Sequence, residues 1–224
     1  MTAELRDGYR EQVWAAVPEG AEPPELELRR AFLLGRLQAL AVAAAATGAA
    51  GGPLRVLDAG CGEAQLTAAV AAAGHEVVGV DVAEEPLRRA REREPGLDLR
   101  RVEPGGEWPL PDASFDVAWA GETIEHVLDT AAWLSELRRL LRPQGSLLLS
   151  TPAHGRLRLL GLALSGRRFD AHFDPRADHL RFYSSRTLTR LLEEFGFERI
   201  ELRRAGGPPL ARRTLLASAV RSRF

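Results

Sequence analysis

The residues most able to do chemistry sit together in Val56-Leu57-Asp58-Ala59-Gly60-Cys61-Gly62-Glu63. An acid and two glycines stand where a short apolar run gives way to an alanine-rich one. Glycines at 60 and 62 let the backbone turn tightly and approach a ligand with no side chain between them. The helix start that follows offers unpaired amides and a partial positive charge. Asp81 lies 21 positions after Gly60, at the end of the next apolar run. An acid there can accept two hydrogen bonds from ribose hydroxyls. Together these residues predict a cofactor that contains a nucleoside. A glycine pair alone is also compatible with nicotinamide dinucleotides, but the third glycine of G-x-G-x-x-G is replaced by Gln65, and Asp58 precedes the glycines.

Such residues need strands and helices to aim them. Residues 54–58 read as a strand, 63–73 as a helix stopped by Gly74, and 76–81 as a second strand. A helix follows near 84–93, with Pro86 in its first turn. Strands are then predicted at 97–102, 115–120 and 146–150, with a helix over 131–141. Short, continuously apolar strands separated by helices imply a parallel sheet covered on both faces, a doubly wound α/β fold. The ending differs. A helix capped at Ser185 runs to Phe195. Residues 197–204 and 214–220 then flank Gly206-Gly207-Pro208-Pro209, which predicts an antiparallel pair at one sheet edge. Upstream, Leu26, Arg29, Arg30, Leu33, Leu34, Leu37, Leu40 and Ala41 form a stripe at helical spacing, and 47–53 is a small-residue linker. The expected organisation is an N-terminal helical cap over 1–52 and a catalytic domain over 53–224. Its segment 155–180, rich in Gly, Arg and His, fits neither period and reads as an insertion that covers the substrate.

Composition narrows the function. The chain of 224 residues, 45% hydrophobic and 27% charged, suits one domain with a small appendage. All 30 basic residues are arginine. Without a lysine there is no Walker-type phosphate loop and no pyridoxal Schiff base. The single cysteine, Cys61, rules out an internal disulfide and suits a reducing cytoplasm. The N-terminus has no apolar signal core, and the alanine-rich run 39–50 is too short and mild to cross a bilayer. A formal net charge of −1 provides no global field for nucleic acid or an anionic membrane. The expected partner is a small-molecule acceptor, with no nucleic acid and no membrane, for a monomer or homodimer.

The string Asp58-Ala59-Gly60-Cys61-Gly62 resembles the first motif of class I S-adenosylmethionine-dependent methyltransferases. The resemblance continues through residues 108–112, 114–117, 121–127, 141–145 and 150–152, and through His179 and Phe195-Gly196-Phe197. It covers roughly residues 54–220. It implies a Rossmann-like, seven-stranded, mostly parallel sheet with an antiparallel C-terminal edge strand. It also implies S-adenosyl-L-methionine as cofactor. Gly60 and Gly62 would line its methionine part, with Glu122 beside that part, and Asp58, Ala59 and Cys61 of the same string would also belong to the cofactor site. Asp81 and the adjoining Val82 would hold the ribose. The family often has an acid after the third strand for the adenine amine. Pro104 stands there in this chain, so the contact would pass to Glu103 or to backbone near Trp108.

Methyl transfer to oxygen, and to many nitrogens, needs a base near neutral pH, and histidine suits that task. The candidates are His126, His154 and His179; His75 reads as solvated and His172 as part of the insertion. Against a base role for His126 stands simple capping and packing of a helical start. Glu122, Glu125, His126 and His179 also resemble the divalent-metal set of small-RNA 2′-O-methyltransferases, and helical spacing would put Glu122 and His126 on one face. The wider family carries a similar string without metal, so none is expected. Cys61 reads as a packing residue, Trp108, Trp119 and Trp133 as core, and Arg156, Arg158, Arg167, Arg168, Arg176 and Arg181 as a solvated surface or a magnet for an acidic substrate. The function these readings favour is a methyltransferase acting on an oxygen or nitrogen of a small molecule. The alternatives are an NAD(P)-dependent oxidoreductase and a non-catalytic cofactor-binding module.

Overall fold

A computed structural model describes residues 11–46, 52–173, 179–208 and 211–223. Most of the 47–53 linker, Arg176, the Arg158 side chain and Pro209 lie outside the described residues. Seven strands form one sheet in the order β3-β2-β1-β4-β5-β7-β6. They are β1 (Arg55–Ala59), β2 (Glu76–Asp81), β3 (Asp98–Arg101), β4 (Phe115–Gly121), β5 (Leu141–Pro152), β6 (Phe197–Ala205) and β7 (Thr214–Arg221). β3, β2, β1, β4 and β5 run parallel, with Leu57 opposite Val78 on one side and Ala118 on the other. β7 is antiparallel to both its neighbours. The reversed strand therefore lies one place in from the edge, which β6 forms.

Adjacent residues in the central strands feed two cores, as the two-residue period of a strand requires. Val56, Val117, Trp119 and Leu148 face α1 (Leu26–Ala46) and α2 (Gln65–Ala72), meeting Leu33, Leu37, Leu66 and Val70. Leu57, Ala118, Ala120, Leu147 and Leu149 face the other way. There they meet Leu134 and Leu137 of α4 (Thr130–Leu140) and Leu188 and Leu192 of α7 (Ser185–Glu194). α3 (Glu84–Arg93) packs Leu87 and Ala90 on Cys61, Ala64 and Leu99.

Several boundaries differ from the sequence reading, each for a local reason. α2 starts at Gln65 rather than 63 because Gly62 and Ala64 both take left-handed backbone, at φ 53° and 61°. α7 is capped by Ser184, not Ser185: its hydroxyl accepts from the Thr187 amide at 3.2 Å and Thr187 Oγ1 accepts from the Ser184 amide at 3.0 Å, a reciprocal cap. The aperiodic segment holds two short helices, α5 (Arg156–Ala163) and α6 (Gly166–His172). Residues 122–126, expected to begin a helix, form only a single 3₁₀ turn at Ile124–His126. Glu122 itself has φ 53°, so Glu122 and His126 share no helical face.

Candidate functional site

The strand order reverses between β1 and β4, and in open parallel sheets a crevice opens at that point beyond the carboxyl ends. Three strand ends meet there: Asp81 of β2, Ala59–Gly62 after β1, and Gly121–Thr123 after β4. Gly60 has φ 86°, and a Cβ on it would lie 2.5 Å from Thr123 Oγ1. The Thr123 hydroxyl donates to the Ala59 carbonyl at 3.1 Å, which locks the two loops together. Gly62 has φ 53°, and a Cβ there would sit 3.0 Å from the Trp14 ring. Both positions thus require glycine for space as well as for conformation.

Asp81 is buried and organises this turn. Its Oδ2 accepts from the Gly62 amide at 2.9 Å and its Oδ1 from the Ala83 amide at 3.0 Å. Val82 between them packs on the main core. Asp58, fully enclosed, accepts from the Thr67 hydroxyl at 2.7 Å. Burial pushes its carboxyl up to about 7, against the pull of the Thr67 hydrogen bond. Cys61 is a buried thiol in the α3 cluster, its pKa driven up by burial, as its packing role predicts.

Across the crevice, the Glu122 amide donates to the Ser150 carbonyl at 3.0 Å, and its carboxylate accepts from the Ser150 hydroxyl at 2.8 Å. Burial raises its pKa. Glu125 is wholly buried. Thr151 Oγ1 donates to its Oε2 at 3.0 Å, while Oε1 has no hydrogen-bond partner among the described residues. Burial, and then the charge of Glu122, push its carboxyl up to about 8.

Of the candidate histidines, two come together. His126 and His179 stand edge to face with ring centroids 4.8 Å apart. The segment bearing His179 is held by the Leu180 and Arg181 amides, which both donate to the Glu125 carbonyl, at 2.8 and 3.1 Å. One ligand atom each from Glu125, His126 and His179 lies within 4.8 Å of the others, a group able to move a proton or hold a cation. His154 stands elsewhere, packed against Phe182 at 4.9 Å and His172 at 5.6 Å. His75, read as solvated, accepts from the Leu54 amide at 3.2 Å and anchors the start of β1.

Two expected adenine contacts fare differently. Glu103 is exposed, its carboxylate 3.9 Å from Arg101. Trp108 is buried in the main core, with its amide donating to Glu136 at 2.7 Å and its carbonyl accepting from Arg139 at 3.1 Å. Those Trp108 backbone groups are therefore already engaged. Trp119 and Trp133 are core, as expected.

Two site residues escaped the sequence reading. Arg29 occupies an apolar-stripe position of α1, where its buried guanidinium donates to the Pro24 carbonyl at 2.8 Å and its charge acts on Glu122, Glu125 and Asp58. A charged residue inside an apolar stripe was the available signal. Trp14, which covers Gly62, carried none.

A family model described as a methyltransferase domain matches residues 26–202. A probable S-adenosylmethionine-dependent methyltransferase of Mycolicibacterium smegmatis is 39% identical over 143 residues, covering 64% of this chain and 51% of that protein. The ubiquinone biosynthesis O-methyltransferase of Methylococcus capsulatus is 30% identical over 172 residues, covering 74% and 72%. Among solved structures, the Burkholderia thailandensis 1,6-didemethyltoxoflavin-N1-methyltransferase superposes with a TM-score of 0.63 at 23% identity, covering 98% of this chain and 86% of that one. The matched part of this chain spans about half the length of the mycobacterial relatives. With a crevice formed by the same strand ends that the motif predicts, the chain belongs to the class I S-adenosylmethionine-dependent methyltransferases.

Proposed function

We propose that this chain transfers the methyl group of S-adenosyl-L-methionine to an oxygen, or less readily a nitrogen, of a small-molecule acceptor. The observation that carries this reading is the set of carboxyls that line the crevice. Asp58, Asp81, Glu122 and Glu125 gather around the glycine turn, with one buried guanidinium, Arg29, among them. A bound sulfonium cation favours the ionised form of these carboxyls, whereas the pyrophosphate of a nicotinamide dinucleotide opposes it. The side-chain-free turn at Gly60 and Gly62 and the Asp81 carboxylate at the end of β2 fit the methionine and ribose parts. The names of relatives such as the Methylococcus O-methyltransferase support oxygen as the receiving atom.

S-adenosylmethionine, when bound, supplies a methyl group made electrophilic by a positive sulfur. The chain's own task is to align the acceptor, keep water out and take a proton. An imidazole nitrogen of His126 or His179 accepts the proton from the acceptor hydroxyl. The hydrogen bonds from Leu180 and Arg181 to Glu125 hold that pair in place. Residues 155–173, which follow His154, would border the acceptor side.

Calorimetry with S-adenosylmethionine and with NAD tests the cofactor: binding of the first and none of the second is expected. Asp81→Ala should weaken binding by about 1–3 kcal/mol, the cost of a lost hydrogen bond to a charged group. Unchanged affinity would remove Asp81 from the site. His179→Ala and His126→Ala should each lower kcat roughly 10²–10⁴-fold and abolish the acid limb of the pH profile if that residue is the base. A chelator should leave the rate unchanged; loss on chelation with recovery on added Mn²⁺ would recast the pair as metal ligands.

A further inference from the structure

Of the ten large apolar side chains that face solvent among the described residues, six fall between residues 157 and 173, and the others are Val42, Leu128, Leu180 and Phe182. Among the described residues, Leu157, Leu160, Leu164, Phe169 and Phe173 are all at least 44% exposed, and they fall on α5, α6 and their flanks. Leu164, between the two helices, is 81% exposed. α6 buries none of its residues. The Phe169 and Phe173 rings meet at the surface at a tilt of 49°, with centroids 4.7 Å apart. An apolar cluster of this kind marks a surface that something else covers.

The charge on the same element says what covers it. Between residues 156 and 173 the sequence has four arginines, at 156, 158, 167 and 168, against a single acid, Asp170. Arg156, Arg167 and Arg168 are exposed in the structure. The formal net charge of −1, from which no membrane partner was expected, averages this local cationic patch away. A second copy of the chain is a poor cover, because a two-fold contact would set arginines against their own copies. Nucleic acid answers the arginines but not the leucines and phenylalanines. Leucine and phenylalanine beside arginine on short helices that lie flat is the composition of an interfacial membrane element. No helix among the described residues is long and apolar enough to cross a bilayer, so the contact would be with its surface.

We propose that the α5–α6 hairpin docks on an anionic lipid surface, its apolar residues entering the headgroup boundary and its arginines meeting lipid phosphates. The hairpin leaves β5 at the carboxyl edge of the sheet, just after His154. Docking there turns the candidate acceptor side toward the membrane. The acceptor would then be an amphiphile presented from the bilayer, a clause that rests on the methyltransferase reading, whereas the docking itself does not.

Flotation of the purified chain with vesicles of phosphatidylcholine, with and without phosphatidylglycerol, tests the docking. At least tenfold more protein is expected with the phosphatidylglycerol vesicles, and less as salt rises. Leu160→Ser with Leu164→Ser and Phe169→Ser should remove binding to both. Arg167→Glu with Arg168→Glu should remove the preference for phosphatidylglycerol. Calorimetry with S-adenosylmethionine on each variant is expected to match the parent chain, which shows the fold and crevice intact. Failure of that binding in the parent would overturn the methyltransferase reading and leave flotation to judge the hairpin. A parent chain that stays with the unbound fraction overturns the docking, and so does a triple variant that floats undiminished. Sedimentation showing a dimer that the triple variant dissociates, with no flotation of the parent, assigns the patch to a second copy and also overturns it.

Discussion

Asp58 and Glu125 are carboxyls whose burial makes the proton harder to lose, at about 7 and about 8. In the unfolded chain both would ionise near their ordinary values, around pH 4. The native state therefore binds more protons than the unfolded state between about pH 4 and 8. By linkage, stability is greatest below pH 4 on their account and is lost as pH rises through 7 to 8. Asp58→Asn keeps an acceptor for the Thr67 hydroxyl and removes the ionisation. Thermal unfolding followed from pH 5 to 8.5 should then show a flatter decline for the variant, worth at most about 4 kcal/mol at the alkaline end. Parallel curves for the two proteins would mean that Asp58 is ionised throughout. A bound sulfonium cation should draw both carboxyls toward ionisation, so cofactor affinity is expected to rise over the same pH range.

At the scale of elements, the N-terminal segment 11–20 acts as a strap across the Gly60–Gly62 turn. The Glu11 carboxylate accepts from the Glu84 and Glu85 amides at 2.6 and 3.1 Å, which caps α3 from another element. Arg89 reaches back from α3 to the Val17 and Trp14 carbonyls at 2.9 and 3.2 Å, and to Glu63 at 3.0 Å. The Gly20 amide donates to the same Glu63 carboxylate at 3.0 Å. The Glu63 and Arg89 side chains are only 2% and 8% exposed, so removing the Glu63 charge leaves the buried Arg89 with Glu85, 2.7 Å away, as its remaining acid. Glu63→Gln should lower the midpoint of a urea titration. It should also raise amide exchange across 11–20; a loss of stability with exchange there unaltered would sink the strap. None of this was legible from the chain. Strands and helices were, because alternating or helical apolar spacing is local information, and so were the glycine turn and Asp81, whose separation the β–α–β unit dictates. Glu63–Arg89 and Glu11–α3 are pairings between distant segments with no periodic trace. The bend at Glu122 was misread for a related reason: a left-handed glutamate has no signature of residue type, and only the Ser150 hydrogen bonds that hold it explain it.

For the whole molecule the question is whether residues before 53 are a cap on a finished domain or part of it. α1 lies on the sheet itself: Leu33 and Leu37 are fully buried among Val56, Val117, Trp119 and Leu148, and the Phe32 ring leans on Trp119 at 6.3 Å. The helix also carries Arg29 to the acids of the crevice and ties Arg36 to Ser218 of β7 at 2.9 Å. One helix thus spans from the crevice acids to the reversed strand of the sheet. Sheets of this class need both faces covered, because their central strands are apolar on each side. Leu33→Ala and Leu37→Ala should each cost about 2–5 kcal/mol, and together nearly the whole stability of an ordinary domain. A chain that starts at residue 53 should then be expressed without a cooperative unfolding transition and should bind a hydrophobic dye. A sharp transition from that shortened chain, with S-adenosylmethionine binding retained, would instead make the helix a dispensable cover and place the folding unit entirely after the linker.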